Sequence, residues 1–367
     1  MIRKCLLLLL LATCVACGSA DKPADSAAEP AATPDNAAPD GQAGAESATG
    51  GVVNVYSARH YDTDDQLYAN FEAETGIKVQ VIEGDSAALL ERLRREGEQS
   101  SADLFIAVDA GRLNQAEKEG IFDGVDSAVL NERIPASLRH PDGLWFGLTK
   151  RARVIVRAKD RVADGEISSY EDLADPKWKG KVLIRSSSNI YNQSLVGSIL
   201  AAHGEEATEK WCEGVVANMA RKPQGGDRDQ VRALAAGEGD VAVVNSYYLG
   251  QMVAAADKPE DQEAAAQVAV VFPNQDDRGT HVNISGAGVV RGAPNRDNAI
   301  RLLEYLTSES AQKMLADVNK EYPIVASYTP VAELAAFGTF KEDSVNASVF
   351  GANGQDALRL MDRCGWR

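Results

Sequence analysis

From Val52 onward, short apolar runs alternate with longer stretches whose apolar positions recur every three or four residues. VVNVY reads as a buried strand. DTDDQLYANFEAETG then has an acidic first turn, an apolar stripe at Leu67 and Phe71, and Gly76 as its stop, which is a helix pattern. IKVQVIE, DSAALLERLRREG, ADLFIAV and DAGRLNQAEKEG repeat the alternation as strand, helix, strand, helix. Successive β-α-β units predict a parallel sheet with helices on both faces. Such sheets take ligands beyond the carboxyl ends of their strands.

WFGLTKRARVIVRA, Trp145 to Ala158, is a long strand-like stretch able to carry the chain into a second lobe. That lobe takes in YEDLADPKWKGK, the strand KVLIRS, two helices around Tyr191 and Trp211, and the strand VAVVNSYY. VAVVFP is a further strand, GTHVNISGAGVV a return crossing, and NRDNAIRLLEYLTS a helix beyond it. The pattern predicts an α/β protein of two lobes, each a mostly parallel sheet flanked by helices, with hinge strands between. Residues 51–150 with about 277–326 form the N-terminal lobe, and 151–276 with about 327–367 the C-terminal lobe. A total of 367 residues suits two cores better than one, and clefts between domains are favoured ligand sites. No fixed-period repeat is present.

Ahead of the folded part stands a targeting pattern. Arg3 and Lys4 precede an apolar run, Leu6 to Ala12, that is too short to span a bilayer. It ends in CVACGS, which resembles a bacterial lipoprotein signal: residues 1–17 are read as the signal and Cys17 as the lipidated residue. Cys14, in LATC, is a second candidate, and an ordinary cleaved signal peptide is the alternative; each of these exports the protein. Residues 18–50, rich in Ala, Pro, Asp and Gly without apolar periodicity, cannot bury enough to offset their chain entropy and read as a disordered tether. The expected location is the periplasm, on a lipid anchor, at the inner membrane.

Composition removes one class of function. A formal net charge of −16 argues against nucleic acid, whose phosphates need a basic surface. Past the leader only Cys212 and Cys364 remain, a disulfide candidate in an oxidising compartment that would tie QDALRLMDRCGW to the helix carrying Trp211. Two separate thiols are the other reading. The mature chain has no GxSxG, HExxH, GxxxxGK[ST] or CxxC motif. Its four histidines, at 60, 140, 203 and 281, share no metal-site spacing. GGDRD and SGAGVV lack the strand–helix context of a dinucleotide site. The expectation is a protein that is not an enzyme.

The tyrosines carry more. YSARHYDTDD places His60 and Tyr61 after the carboxyl end of the first strand. SSSNIYNQS places Tyr191 at the start of a helix, and NSYYLGQM puts Tyr247 and Tyr248 at the end of another strand. Each is a position from which an α/β lobe presents residues to a cleft. A single such tyrosine is ordinarily half-buried with its hydroxyl in water; the coincidence of all of them is what points to a site. If the strand breaks at Asn245 and Ser246, both tandem hydroxyls can turn to one side.

YSARHYDTD, WFGLTKRARV, SSSNIYNQS, NSYYLGQM and RGTHVNISGAGVV resemble segments of the ferric-iron-binding proteins of ABC uptake systems, in particular the cyanobacterial-type members that hold iron without an external anion. The likeness runs from about Val52 to the end of the chain. It implies the type II periplasmic binding fold, hinge closure, and His60, Tyr61, Tyr191, Tyr247 and Tyr248 as metal ligands. It implies an ABC permease and its ATPase as partners of a monomeric binding protein, with Fe(III) as the transported ligand.

The chemistry agrees. Fe(III) prefers anionic oxygen, and a strong Lewis acid removes a phenol proton whose reference pKa is about 10. Softer or less charged ions would call for thiolates, several imidazoles or carboxylate cages. Four phenolates leave a negative site that needs positive partners. Arg59, Arg151 and Arg153 are the candidates, with salt bridging at the surface or hinge the alternative for the last two. In the resembled family a basic residue one turn after the tandem tyrosines would suit this role; this chain has Gln251. The runners-up are a receptor for a small anion held by arginines and helix N-termini, and a secreted enzyme on the same fold.

Overall fold

The computed structural model describes residues 50–59 and 62–367. The expected leader with Cys14 and Cys17, the tether as far as residue 49, and His60 and Tyr61 lie outside these residues.

Nine strands are present among them: β1 Val52–Ser57, β2 Lys78–Glu83, β3 Leu104–Ala107, β4 Phe146–Ala158, β5 Val182–Leu183, β6 Val241–Asn245, β7 Val268–Val271, β8 Val282–Val289 and β9 Tyr322–Pro323. Their order is β2-β1-β3-β8-β4-β6-β5, with β7 and β9 also paired to β4. β1 runs parallel to β2 and β3, and Val55 sits between Val81 and Leu104. β8 returns antiparallel to β3.

The helices between β1 and β4 begin and end where local chemistry dictates. Asp85 caps Ser86–Glu96 by accepting from the Ala87 and Ala88 amides at 2.9 and 3.2 Å. Asp109 caps Ala110–Lys118 through the Gly111 amide at 2.7 Å. Asp62–Thr75 stops at Gly76, whose φ of 71° suits glycine. These helices bury Phe71, Leu90 and Leu113 with Val53, Val55, Phe105, Trp145 and Val289 in a first core.

β4 is the common element. From Phe146 to Ala152 it pairs antiparallel with β8, with a register shift between Gly147 and Thr149. From Arg153 to Arg157 it pairs antiparallel with β6. In this second region alternate side chains feed two further cores, as strand pleating requires. Ile155, Val241 and Val243 pack with Trp178, Leu195, Trp211 and Trp366. Val154, Val156, Ala242 and Val244 pack with Leu234, Met252 and Leu334.

Two local outcomes shape the site. The apolar run KVLIRS pairs as a strand only at Val182 and Leu183. Beyond it the Arg185 carbonyl accepts from Asn192 Nδ2 at 2.8 Å and Trp366 Nε1 at 2.9 Å, so tertiary partners replace a ladder. The helix Ile190–Asn218 is broken at Gly204, φ 76°, into the two expected helices. No helix among the described residues is long and apolar enough to cross a membrane.

Candidate metal site

β6 stops at Asn245 because its amide turns to the Asp227 carboxylate, 3.0 Å away, and the helix Ser246–Ala254 begins at once. Tyr247 and Tyr248 therefore lie on the first turn of a helix. Tyr191 lies on the first turn of Ile190–Asn218. The sequence placed all three tyrosines beyond strand ends, and the fold brings them together. The Tyr191 and Tyr247 hydroxyls are 3.5 Å apart, and the Tyr247 and Tyr248 rings have centroids 4.1 Å apart at 32°. Tyr247 is buried; Tyr191 and Tyr248 are half-buried. Two helix N-termini point their positive ends at this cluster, which favours anionic oxygen there.

Burial pushes the Tyr191 phenol up to about 12, the neighbouring Tyr248 adds to this, and Arg151 pulls the other way. The guanidinium carbons of Arg151 and Arg185 stand 5.5 and 5.6 Å from the Tyr191 ring centroid. That of Arg228 stands 5.0 Å from the Tyr248 centroid. Three cations thus border three phenols, an arrangement that compensates phenolate charge.

Of the arginines read from sequence, Arg151 borders the tyrosine cluster directly. It is anchored by Ser285 Oγ at 3.3 Å, by the Val108 carbonyl and by Asp109 at 3.9 Å. Arg153 is buried beneath the cluster. It pairs with Asp227 and donates to Asn192 Oδ1 at 2.8 Å and Asn245 Oδ1 at 3.2 Å, bracing the starts of both tyrosine helices. Arg59 engages Asp64 at 3.0 Å, Glu321 at 3.4 Å and Thr149 Oγ1 at 3.5 Å. Arg185 and Arg228 were missed. Arg185 pairs with Asp227 at 2.8 Å. Arg228, from GGDRD, hydrogen-bonds Gln251, so a cation reaches Gln251 from another helix.

Three converging phenols and a guanidinium border suit a hard, highly charged cation that displaces phenolic protons. Among the described residues no group of three or more His, Cys, Asp or Glu converges to hold a metal. Cys212 is buried and Cys364 half-buried, both as free thiols and neighbours of each other.

A family model for bacterial extracellular solute-binding proteins matches residues 99–343. Iron uptake protein A1 of Synechocystis sp. is 51% identical over 315 residues, 86% of this chain and 87% of that protein. Iron uptake protein A2 of the same organism is 50% identical over 323 residues, 88% and 92% of the two chains. The solved structure of Trichodesmium IdiA (FutA) in complex with iron and citrate is 53% identical with a TM-score of 0.84, over 86% of this chain and 100% of that one. Apo FutA2 from Synechocystis is 50% identical with a TM-score of 0.82, over 86% and 99%. The fold is the two-lobed type II periplasmic binding fold that these neighbours share. With two thirds of its length under the family model and half its residues shared with these relatives, the chain belongs to the bacterial extracellular solute-binding proteins.

Proposed function

We infer that this protein captures ferric iron outside the cytoplasm and delivers it to an ABC permease and its ATPase. It is a binding protein for iron transport and not an enzyme; its relatives carry the names of iron uptake proteins. The carrying observation is the meeting of the Tyr191 and Tyr247 hydroxyls at 3.5 Å, with the Tyr248 ring centroid 4.1 Å from that of Tyr247. In this reading Tyr191, Tyr247 and Tyr248 hold the ion as phenolates from the C-terminal lobe, residues 151–276 with about 327–367. His60 and Tyr61 complete the set from the N-terminal lobe, residues 51–150 with about 277–326. Arg151, Arg185 and Arg228 balance the phenolate charge, while Arg153 and Arg59 brace the elements around it. Hinge closure then shuts out water and presents a shape the permease recognises. Release follows permease contact, phenolate protonation or reduction to Fe(II), which binds phenolate less strongly.

The test is a titration of residues 51–367 with ferric citrate. Phenolate-to-Fe(III) charge transfer gives a red to purple band. Its absence, or its survival in the Tyr247→Phe, Tyr248→Phe double variant, removes the iron reading. Citrate binding with no iron present would instead support a small-anion receptor, the weaker reading because Arg151 and Arg185 already hold protein partners.

The body is proposed to work as a monomer on the tether 18–50, anchored at the inner membrane through lipid on Cys17. Cys17→Ala is expected to release it from membranes; retention would move the anchor to Cys14 or elsewhere.

A further inference from the structure

The helix Gly354–Arg363 and the tail after it close the chain against the second half of the helix Ile190–Asn218. Contacts on both sides of the two cysteines hold this packing in register. Arg363 reaches Glu205 and Glu209 at 2.8 Å each. Trp366 is fully buried, with its ring centroid 6.1 Å from that of Trp211, the neighbour of Cys212. Between these contacts Cys364 Sγ donates to the Glu209 carbonyl at 3.5 Å, one helical turn before Cys212, whose thiol is its neighbour.

Burial pushes the Cys212 thiol up, with Cys364 adding to it; burial also raises Cys364, aided by Glu209 and Glu213. A reactive or metal-binding cysteine needs the opposite, a cationic setting that favours thiolate. The pair is therefore unsuited to catalysis, and it is its packed position, held by Arg363 and Trp366, that suits it to a cross-link. The family is extracellular, and disulfides persist in oxidising compartments.

We propose that Cys212 and Cys364 are joined in the exported protein as a structural disulfide that fastens the C-terminal tail. Two S–H bonds break and one S–S bond forms. The two electrons and two protons pass to the disulfide of an exported thiol oxidoreductase, which leaves as a dithiol. Cys364, the more accessible sulfur, takes the mixed disulfide, and Cys212 displaces the oxidoreductase as the tail docks. The closed loop contains Tyr247 and Tyr248. The fastened tail also reaches the tyrosine cluster, because Trp366 Nε1 donates to the Arg185 carbonyl at 2.9 Å and Arg185 stands over Tyr191.

The experiment uses protein isolated from the exported compartment without reductant, denatured in N-ethylmaleimide and mapped by peptide mass. The expected result is an unmodified, cross-linked Cys212–Cys364 peptide pair that takes two adducts only after reduction. Two adducts without reduction overturn the proposal. Reduction is expected to lower Tm by about 5–10 °C, and Cys364→Ser to abolish that response; an unchanged Tm on reduction of the cross-linked protein overturns the fastening role. If Cys364→Ser does not fold, the peptide map of the unaltered chain still decides. No readout involves iron, so failure here is separate from failure of the iron reading.

Discussion

The hydroxyl oxygens of Tyr191 and Tyr247 lie 3.5 Å apart although 56 residues separate them in the chain. Both side chains rise from first turns of helices, and a buried Asp227 with Arg153 and Arg185 ties those turns together. The convergence is thus set by the backbone, not by chance rotamers.

Tyr191→Phe removes one oxygen while keeping the ring between Arg151 and Arg185. Fold and Tm are expected to hold, and ferric affinity, measured by competition against citrate, to fall by at least about 100-fold. Unchanged affinity would take Tyr191 out of the site.

Iron uptake by the apo protein is expected to release about one proton for each coordinating tyrosine. Tyr191, pushed up to about 12, carries its proton at neutral pH. Affinity therefore weakens as pH falls, and potentiometric titration in weakly buffered solution reads the stoichiometry. In the apo protein the same shift has the opposite flavour: the folded phenol holds its proton more tightly than the unfolded one, so its stabilisation is present below pH 10 and lost between about 10 and 12. Release of no protons on iron binding would exclude phenolate ligation.

Arg228 stacks 5.0 Å from the Tyr248 centroid and hydrogen-bonds Gln251. Arg228→Ala is expected to keep the charge-transfer band but reduce affinity about 10–100-fold, with Arg228→Lys recovering part of the loss. Equal loss in both variants would assign the effect to packing.

His281 is buried with its ring edge against Phe350, centroids 4.7 Å apart. Burial first, then Arg153, Arg151 and Arg278, lowers its pKa to about 3. The unfolded chain takes up a proton below its ordinary value of 6.5 and the folded chain does not. Stability is expected to fall by about 1.4 kcal/mol per pH unit from 6.5 towards 3. His281→Gln should flatten that slope in urea titrations at pH 7 and 5; an unchanged slope would assign the loss to other groups.

Much of this was legible in the residue order because the signals are local. Asp85, Asp109 and Gly76 mark helix ends within a few positions of themselves, and VAVVN gives way to SYY at Asn245. The meeting of Tyr191 with the tandem pair followed from strand-end positions and the family resemblance. Arg185 and Arg228 were not legible. Arg185 is placed by Asp227, 42 residues away, and by Trp366 at the far end of the chain. KVLIRS looked like a full strand for the same reason: its polar end is held by tertiary partners that no local pattern announces.

Arg151 and Arg153 occupy the point on β4 where pairing passes from Asn283 of β8 to Asn245 of β6. Two positions apart on a strand, they share one side of it. Arg151 grips Val108 and Ser285; Arg153 grips Asp227 and Asn192. One strand thus fixes the spacing of two buried cations whose anchors come from different parts of the chain. Because Arg151 is held by protein groups, the Tyr191 phenol keeps a positive neighbour with or without an ion, and that neighbour favours the phenolate an incoming cation needs.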